Sequence, residues 1–279
     1  MSSVKWCTRI TRNHGSHTMP TGYVSIILTE MCPKGTERIM KVGPVAGSMI
    51  RDCKSHGFFD GQNCPSCNDE GKFIMSDRER DILGRRMAGI LRHFPEKFDL
   101  EMDLNGWVDV REMVAALTKR DRRMHWLRPH HIRAVSETCT KGRYDVRGDM
   151  VRATYAHTVE IELDLPSDDT PNLLYFPCAV EDESHLLEHG IKPGDRKHVH
   201  LSKTVTAAAN AGHVHHHRPV IIEVDCIQME ANGDTIYHAG TTVYLTEEVE
   251  ARYCATVEAD HPELLACISD WEIEESEEE

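Results

Sequence analysis

A cap signal followed by apolar residues at helical spacing marks the first predicted helix. Ser76-Asp77-Arg78-Glu79 has the pattern of a capping box, in which a serine hydroxyl and a glutamate side chain satisfy backbone N–H groups at a helix start. The apolar spacing continues until Pro95, which cannot extend a helix. Its apolar members are Leu83, Met87, Ile90, Leu91 and Phe94. The pattern places Arg92 and His93 in the last turn, where backbone carbonyls favour cations.

Two further helices and a hairpin are predicted after this helix. Asn105-Gly106 indicates a turn, and helical patterns follow from about Val110 to Lys119 and from about Pro129 to Thr138. Two short strands are then expected on either side of a tight turn at Arg147-Gly148-Asp149. Three helices followed by a β-hairpin are typical of a winged helix, which is a nucleic-acid-binding module.

Alternating polar residues characterise the segment from Arg196 to Ser202. In a strand, alternate side chains point to opposite faces, so four polar side chains would share one face. These are Arg196, His198, His200 and Ser202, whereas Lys197, Val199 and Leu201 would face the other way. All four can donate hydrogen bonds and the arginine is permanently charged, so this face is suited to binding phosphate. Taken alone, the segment fits a solvated edge strand better than a phosphate site.

Four motifs follow one another along the chain: Leu91-Arg92-His93, Asn105-Gly106-Trp107-Val108-Asp109, Lys141-Gly142-Arg143-Tyr144 with the later Arg152-Ala153-Thr154-Tyr155-Ala156-His157-Thr158, and Arg196-Lys197-His198-Val199-His200-Leu201-Ser202. In this order and spacing they resemble the KptA-type RNA 2′-phosphotransferases. The resemblance extends from about Ser76 to Val257. It implies an α+β fold with a winged-helix RNA lobe and a C-terminal, β-rich NAD lobe related to ADP-ribosyltransferases. It also implies removal of an internal 2′-phosphate from RNA, typically at a tRNA splice junction.

The family's Arg-His-Arg-Arg catalytic group falls on Arg92, His93, Arg143 and Arg196. In the implied reaction the RNA 2′-phosphate displaces nicotinamide from NAD, and the ribose 2″-hydroxyl then attacks the phosphorus. The products are nicotinamide, ADP-ribose 1″,2″-cyclic phosphate and RNA with a 2′-hydroxyl. Both steps need fixed positive charge, and guanidinium groups satisfy phosphate oxygens in pairs. His93 is expected to orient or deprotonate the sugar hydroxyl.

The cofactor part of the sequence departs from the family pattern at one point. Leu174-Tyr175-Phe176-Pro177-Cys178 stands where members usually carry Tyr-His-Gly-Thr, and Phe176 can stack but cannot donate a hydrogen bond. The segment from Gly240 to Leu245 is expected to be a buried strand of the same lobe. The predicted NAD contacts are His157, Thr158, Tyr175, His200 and Ser202.

Two chelating pairs lie before the first helix. Cys53-x-x-His56 and Cys64-x-x-Cys67 have the spacing of a structural zinc site, and three sulfurs with one imidazole leave no open coordination position. The alternative is free cysteines in a loop. A second histidine-rich tract, from His213 to His217, is expected to be a solvated loop in preference to a metal site. Six other cysteines are scattered along the chain and are expected to be small buried apolar residues: Cys7, Cys32, Cys139, Cys178, Cys226 and Cys254.

Charge is unevenly distributed along this chain of 279 residues, which has a net charge of −14. The C-terminus is a run of glutamates, whereas a basic stripe between residues 119 and 133 could contact RNA or form an ordinary solvated helix face. Its members are Lys119, Arg120, Arg122, Arg123, Arg128, His130, His131 and Arg133. No apolar run approaches the length of a membrane span, and no signal peptide is recognisable, so a cytoplasmic location is expected. No obligate protein partner is indicated.

The predicted organisation has five parts. Residues 1–49 are unassigned and expected to be flexible, 50–75 form the zinc knuckle, 76–160 the winged-helix RNA lobe, 161–269 the NAD lobe, and 270–279 a solvated acidic tail. Two other functions are compatible with the sequence. One is an ADP-ribosyltransferase that acts on nucleic-acid terminal phosphates and stops after the first step. The other is a non-catalytic RNA-binding protein that uses the winged helix and the zinc knuckle.

Overall fold

The computed structural model describes residues 27–31, 37–41 and 49–278, and it divides the chain into two units at Ser48. In the first unit, strands β1 (Ile27–Met31) and β2 (Glu37–Lys41) pair antiparallel. The sequence assigned no structure to residues 1–49. Apart from these two strands and Met49, that prediction lies outside the described residues.

The second unit begins with a three-stranded antiparallel sheet, here called the ribbon. It contains β3 (Met49–Cys53), β4 (Gly57–Asp60) and β5 (Lys72–Ser76), in the order β4-β3-β5. Ile50 and Met75 are fully buried in the same apolar cluster as the helices that follow. The ribbon therefore shares a core with the next part of the chain.

The helical lobe, residues 77–158, has three helices and a small antiparallel sheet. Helices α1 (Asp77–Arg92), α2 (Val110–Arg120) and α3 (Pro129–Glu137) confirm the predicted helices, and Ser76 and Glu79 make the predicted capping box. Strands β6 (Val108–Asp109), β7 (Tyr144–Arg147) and β8 (Met150–Ala153) pair in the order β6-β8-β7. Buried apolar residues of all three helices meet in one cluster, among them Leu83, Met87, Ile90, Met113, Leu117 and Ile132.

The sheet lobe, residues 173–278, is a six-stranded sheet in the order β12-β13-β10-β9-β11-β14. Its strands are β9 (Leu173–Cys178), β10 (Val199–Ser202), β11 (Val220–Asp225), β12 (Tyr237–Gly240), β13 (Val243–Thr246) and β14 (Cys254–Thr256). Its helices are α4 (Glu183–His189), α5 (Val205–His213), α6 (Cys226–Ala231) and α7 (Pro262–Glu278). An apolar cluster on one side of the sheet contains Leu201 and Tyr244, and another lies beneath α5 and α7. The fold is thus mixed α and β, as the sequence predicted at that level.

Two predicted strands have different bounds in the structure. Strand β10 begins only at Val199, because the preceding residues are in bends and the N–H of Lys197 donates to His157 O (3.3 Å) instead of to a strand. Arg196 and His198 are therefore outside the strand. The segment from Gly240 to Leu245 is a hairpin and not one strand, since β12 ends at Gly240 and β13 begins at Val243.

The C-terminal part also differs from the sequence-based expectation. Helix α7 runs through the predicted boundary at residue 270, and Trp271 is only 6% exposed. The prediction of a solvated tail is therefore wrong at this residue. The Trp271 ring stacks on His213 with a centroid separation of 4.0 Å, and its Nε1 donates to Asn210 Oδ1 at 3.1 Å. His213 consequently belongs to α5 and to this contact, whereas His215, His216 and His217 are exposed as expected. Within the described residues, no helix is long and apolar enough to cross a membrane.

Candidate active site

Arg92 is the last residue of α1 and presents unsatisfied hydrogen-bond donors. Its guanidinium carbon lies 4.9 Å from the centroid of the Tyr155 ring. Its Nε and Nη2 atoms are buried and have no hydrogen-bond partner in the part of the chain that the structure describes. Burial lowers the pKa of Arg92, and the charge of Arg143 acts in the same direction. Buried unpaired donors cost free energy, so this side chain is prepared for an anionic ligand.

His93 caps the C-terminus of α1 and is held by Thr158. Its Nδ1 lies 3.0 Å from Thr158 Oγ1, and the Thr158 N–H donates to Arg92 O at 2.9 Å. Burial lowers the pKa of His93, and the charges of Arg92 and Arg196 lower it further. A depressed pKa favours the neutral imidazole, which can accept a proton at neutral pH.

Arg143 and Arg196 come from separate segments and reach the same place. Arg143 immediately precedes β7, where its carbonyl oxygen accepts from the Thr154 N–H at 3.1 Å. Its charge acts on Arg92, and that of Arg196 acts on His93. Both arginines are exposed residues. Arg143 is thus close enough to influence Arg92, and Arg92 and Arg196 are close enough to influence His93, so the four predicted catalytic residues lie in one region.

His157 lies behind this group and is almost completely buried. It is 4% exposed, and its Nε2 has no hydrogen-bond partner among the described residues. Burial lowers the pKa of His157 to about 4, and the neighbouring Arg92 charge contributes to the shift. The ring is therefore neutral, with one nitrogen left to bind a ligand.

His200 has both ring nitrogens engaged within the protein. Its Nδ1 lies 2.9 Å from His198 O, and its Nε2 accepts from the Ala156 N–H at 3.0 Å. Burial lowers the pKa of His200 to about 3, and the charge of Arg196 acts in the same direction. These contacts fix a neutral ring protonated on Nδ1, so His200 positions the wall of the site and has no free ring nitrogen.

Ser202 and Tyr175 stand opposite each other in β10 and β9, and directly opposed residues share a face of the sheet. Tyr175 packs on the apolar cluster beneath α5 and α7, and burial raises its pKa. Phe176 packs against the cluster on the other side, with Leu174. Phe176, which replaces the family's usual histidine, is thus directed away from the face that carries Ser202.

Two supporting residues in this region were not given a role by sequence reasoning. The Tyr155 ring carries the Arg92 guanidinium, and a Cβ atom on Gly240 would lie only 2.7 Å from that ring. Arg152 is 3% exposed, stacks at 4.3 Å over the Trp107 ring and forms ion pairs with Asp145 and Asp164. Tyr155 and Arg152 lie within a motif, but their partners are distant in sequence. Only the three-dimensional contacts show what they do.

Several residues of the basic stripe have partners within the chain. Arg120 pairs with Asp99 at 3.1 Å, and Arg123 pairs with Asp121 at 2.8 Å. His131 is buried, its Nδ1 accepts from the backbone N–H of Arg128 at 2.9 Å, and burial lowers its pKa to about 4. This histidine is therefore a neutral cap at the start of α3.

Cys53, His56, Cys64 and Cys67 form one cluster at the edge of the ribbon. Their ligand atoms all lie within 4.8 Å of one another, and three of the pairs are separated by 3.5–3.6 Å. Tetrahedral zinc with bonds of roughly 2.0–2.3 Å requires ligand separations of about 3.5 Å, so the geometry fits this ion. Burial raises the pKa of Cys64, but hydrogen bonds from the backbone N–H groups of Ser66 and Cys67 lower it, and the net result is a pKa of about 7. Among the described residues, the tract from His213 to His217 forms no comparable group.

Comparisons with known proteins all point to one family. A family model described as RNA 2′-phosphotransferase, Tpt1/KptA family, matches residues 77–248, which contain all four predicted catalytic residues. A probable RNA 2′-phosphotransferase of Methanosarcina acetivorans is 37% identical over 210 residues, 75% of this chain and 100% of that protein. Its counterpart in Thermoplasma acidophilum is 36% identical over 212 residues, 76% of this chain and 89% of that protein. The one in Haloarcula marismortui is 33% identical over 220 residues, 75% of this chain and 98% of that protein.

Proposed function

Because the chain belongs to the Tpt1/KptA family of RNA 2′-phosphotransferases, enzymes that use NAD as co-substrate, we propose that Arg92, His93, Arg143 and Arg196 catalyse this transfer. The substrate is RNA with an internal 2′-phosphate, of the kind left at a tRNA splice junction. The products are nicotinamide, ADP-ribose 1″,2″-cyclic phosphate and RNA with a 2′-hydroxyl. The observation that carries this assignment is the pair of buried, unpartnered donors on Arg92.

Arg92 binds the 2′-phosphate. Its Nε and Nη2 form the edge of a guanidinium that can donate two parallel hydrogen bonds to phosphate oxygens. The Tyr155 ring holds the guanidinium plane in place before the substrate arrives, so little ordering is needed on binding. Since these donors are buried, their hydrogen bonds to a phosphate are stronger than the same bonds would be in water.

Arg143 and Arg196 stabilise the charge that accumulates on the phosphate oxygens when the second step adds a further oxygen to phosphorus. Their guanidinium groups are exposed before substrate binds, and each carries a permanent charge. Because they come from different lobes, they can approach the phosphate from two sides.

His93 moves the proton in the second step. NAD supplies the anomeric carbon with nicotinamide as leaving group, and later the ribose 2″-hydroxyl. His93 Nδ1 is 3.0 Å from Thr158 Oγ1, which orients the ring and leaves Nε2 to accept the hydroxyl proton. The lowered pKa of His93 keeps the ring neutral and ready as a base.

The NAD site is assigned to His157, Thr158, Tyr175, His200 and Ser202. His157 is suited to direct contact because its buried Nε2 is unpartnered within the described residues. Ser202 and Tyr175 are neighbours on adjacent strands, whereas His200 acts by fixing the chain at Ala156.

The two lobes are proposed to have separate roles. The sheet lobe would be the ADP-ribosyltransferase-like NAD lobe, and the helical lobe would be the winged-helix RNA lobe. The ribbon cluster would hold a structural zinc ion.

The test is incubation with NAD and a 2′-phosphorylated RNA, followed by analysis of both the nucleotide and the RNA products. Formation of the cyclic phosphate together with 2′-hydroxyl RNA supports the proposal. Accumulation of ADP-ribosylated RNA would instead identify a transferase that stops after the first step, and no consumption of NAD would indicate a binding protein.

A substitution at Arg92 tests its proposed role. Arg92→Lys should lower turnover by about tenfold or more, because a lysine lacks the planar guanidinium fork. Arg85→Lys, an exposed change on the same helix, is the matched control.

A further inference from the structure

An open cleft of about 380 Å³ lies beside the proposed phosphate site. Gly142 and Tyr144, the two neighbours of Arg143 in the chain, line it together with Arg147. His238 and Thr241 of the sheet lobe form the opposite side. The volume is at the lower end of the roughly 300–1,000 Å³ of small-ligand sites. The residues assigned to NAD do not line this cleft, and neither do the four proposed catalytic residues, so it is separate from both sites.

Close backbone contact between the lobes sets the shape of the cleft. Thr241 Oγ1 donates to Thr140 O at 2.8 Å, and the Thr241 N–H donates to Lys141 O at 3.4 Å. A Cβ atom on Gly142 would lie 3.0 Å from Thr241 N, and one on Gly240 would lie 2.9 Å from Lys141 O. Only glycines permit so close an approach at these two positions. The cleft is therefore formed before any ligand arrives.

Arg147 supplies an exposed, oriented positive charge on the cleft wall. Its guanidinium carbon lies 5.0 Å from the centroid of the Trp107 ring, and 62% of its side chain is exposed. Its contact with Asp145 is long, at 3.4 Å, and Asp145 also pairs with the buried Arg152. Arg152 is also paired with Asp164, so the two arginines face two carboxylates, and Arg147 is the exposed arginine of the two.

We propose that this cleft binds the nucleotide that adjoins the 2′-phosphorylated nucleotide in the RNA strand, with Arg147 donating to its phosphodiester. The inference rests on the proposed function, in which Arg92 binds the 2′-phosphate and Arg143 contacts its oxygens. Arg147 is four residues further along, about 13 Å away in an extended strand, so a strand leaving Arg143 through the cleft passes it. An open groove suits a polymer that continues beyond it, whereas a dinucleotide co-substrate is largely enclosed by its site.

Arg147→Ala tests this assignment with two substrates. A 2′-phosphorylated trinucleotide retains the neighbouring phosphodiesters, and a nucleoside 2′-phosphate lacks them. Losing a hydrogen bond to a charged group weakens binding by about tenfold or more. The KM of the trinucleotide should rise by this factor, while kcat and the KM values for NAD and the nucleoside 2′-phosphate stay at the wild-type level. The salt dependence of trinucleotide binding should fall by about one counterion.

Arg252→Ala is the matched control. Arg252 pairs with the carboxylate two residues before it and lies 4.9 Å from the centroid of an aromatic ring, as Arg147 does, but it is outside the cleft. It should behave as wild type with both substrates. Arg147→Gln, which retains more of the side chain over Trp107, should reproduce the Arg147→Ala result if charge is what matters.

A rise in the KM of NAD, or an unchanged KM of the trinucleotide, would overturn the assignment. Fluorescence anisotropy with a labelled 2′-phosphorylated trinucleotide measures binding without turnover. If wild-type protein binds this probe and Arg147→Ala binds it less tightly, the cleft assignment holds even where no cyclic phosphate is formed. Absence of cyclic phosphate would then contradict only the proposed reaction.

Discussion

His200 Nε2 accepts a hydrogen bond from the backbone N–H of Ala156 at 3.0 Å, and this contact ties strand β10 to the segment that follows β8. Ala156 has a φ of 68°, a left-handed conformation that is uncommon for a residue with a Cβ atom. The same turn places Tyr155 under Arg92 and sends His157 and Thr158 into the site. A histidine that the sequence suggested as a cofactor contact thus holds a strained turn on which Arg92 and His93 depend.

Ala156→Gly should therefore stabilise the protein. A left-handed conformation costs an L-residue roughly 1–2 kcal/mol, and the extra freedom of glycine in the unfolded chain cancels about 0.5–1 kcal/mol of the gain. We expect a net increase of up to about 1 kcal/mol in the free energy of unfolding, measured by urea denaturation. Ala156→Val, which adds a β-branched side chain at the same φ, should have the opposite effect. A destabilised glycine variant would mean that the turn is not strained.

Stability should also fall as the pH decreases from 6.5 towards 5. His131 and His157 have pKa values near 4 and His200 near 3, all below the ordinary value of 6.5. In this window the unfolded chain binds protons that the folded protein excludes, so their stabilisation is present above pH 6.5 and is lost on acidification. Each histidine contributes a slope of up to about 1.4 kcal/mol per pH unit.

The contribution of the buried histidines is measured as the slope of the free energy of unfolding against pH. His157→Gln should reduce the slope by about one proton relative to wild type. His185→Gln changes an exposed histidine and should leave the slope as it is. An identical slope in His157→Gln and wild type would show that His157 is not neutral in the folded protein.

The local parts of this structure could be predicted from the sequence, and the non-local parts could not. The capping box at Ser76 and the tight turn at Gly148 depend on residues within a few positions, so their patterns are legible in the chain. The packing of Trp271 on His213 depends on residues 58 positions apart, and no periodicity signals it. Arg92, His93, Arg143 and Arg196 could be grouped as one site only because a family resemblance supplied the association of distant segments.

Arg196→Lys should separate the charge of Arg196 from its geometry. The lysine keeps a positive charge near His93, so the pKa of His93, followed by NMR, should stay below its ordinary value of 6.5. Turnover should nevertheless fall by about tenfold or more, because the planar fork is lost. Arg196→Gln should lower turnover and also raise the pKa of His93. Wild-type turnover in Arg196→Lys would remove this residue from the phosphate site.

Arg143→Ala should lose activity and keep the fold. Arg143 is exposed and has no ion pair in the part of the chain described here, so its side chain contributes at most about 1 kcal/mol to stability. The charge of Arg143 lowers the pKa of Arg92, so in this variant the pKa of Arg92 should move closer to the ordinary arginine value. Thermal unfolding followed by circular dichroism, measured together with turnover, distinguishes a catalytic role of Arg143 from a structural one. A large drop in melting temperature would identify Arg143 as structural.

The last prediction separates the metal site from the chemistry. The purified chain should contain about one zinc ion, since the donor set Cys53, His56, Cys64 and Cys67 closes a tetrahedral site. Cys67→Ser should lower both the zinc content and the free energy of unfolding, because zinc binding stabilises only the folded ribbon. Cys254→Ser, at a cysteine outside the cluster, should leave the zinc content unchanged.

The full chain is needed for this experiment. Ile50 and Met75 of the ribbon are fully buried against α1, so removing the ribbon would expose the core of the helical lobe. Turnover should therefore be measured in chelator at a temperature where circular dichroism shows a folded protein. It should persist, because arginines supply the charge stabilisation and the reaction needs neither a metal-bound water nor a metal-polarised phosphate. Loss of turnover in folded, zinc-free protein would show that the ion takes part in catalysis or shapes the site through α1.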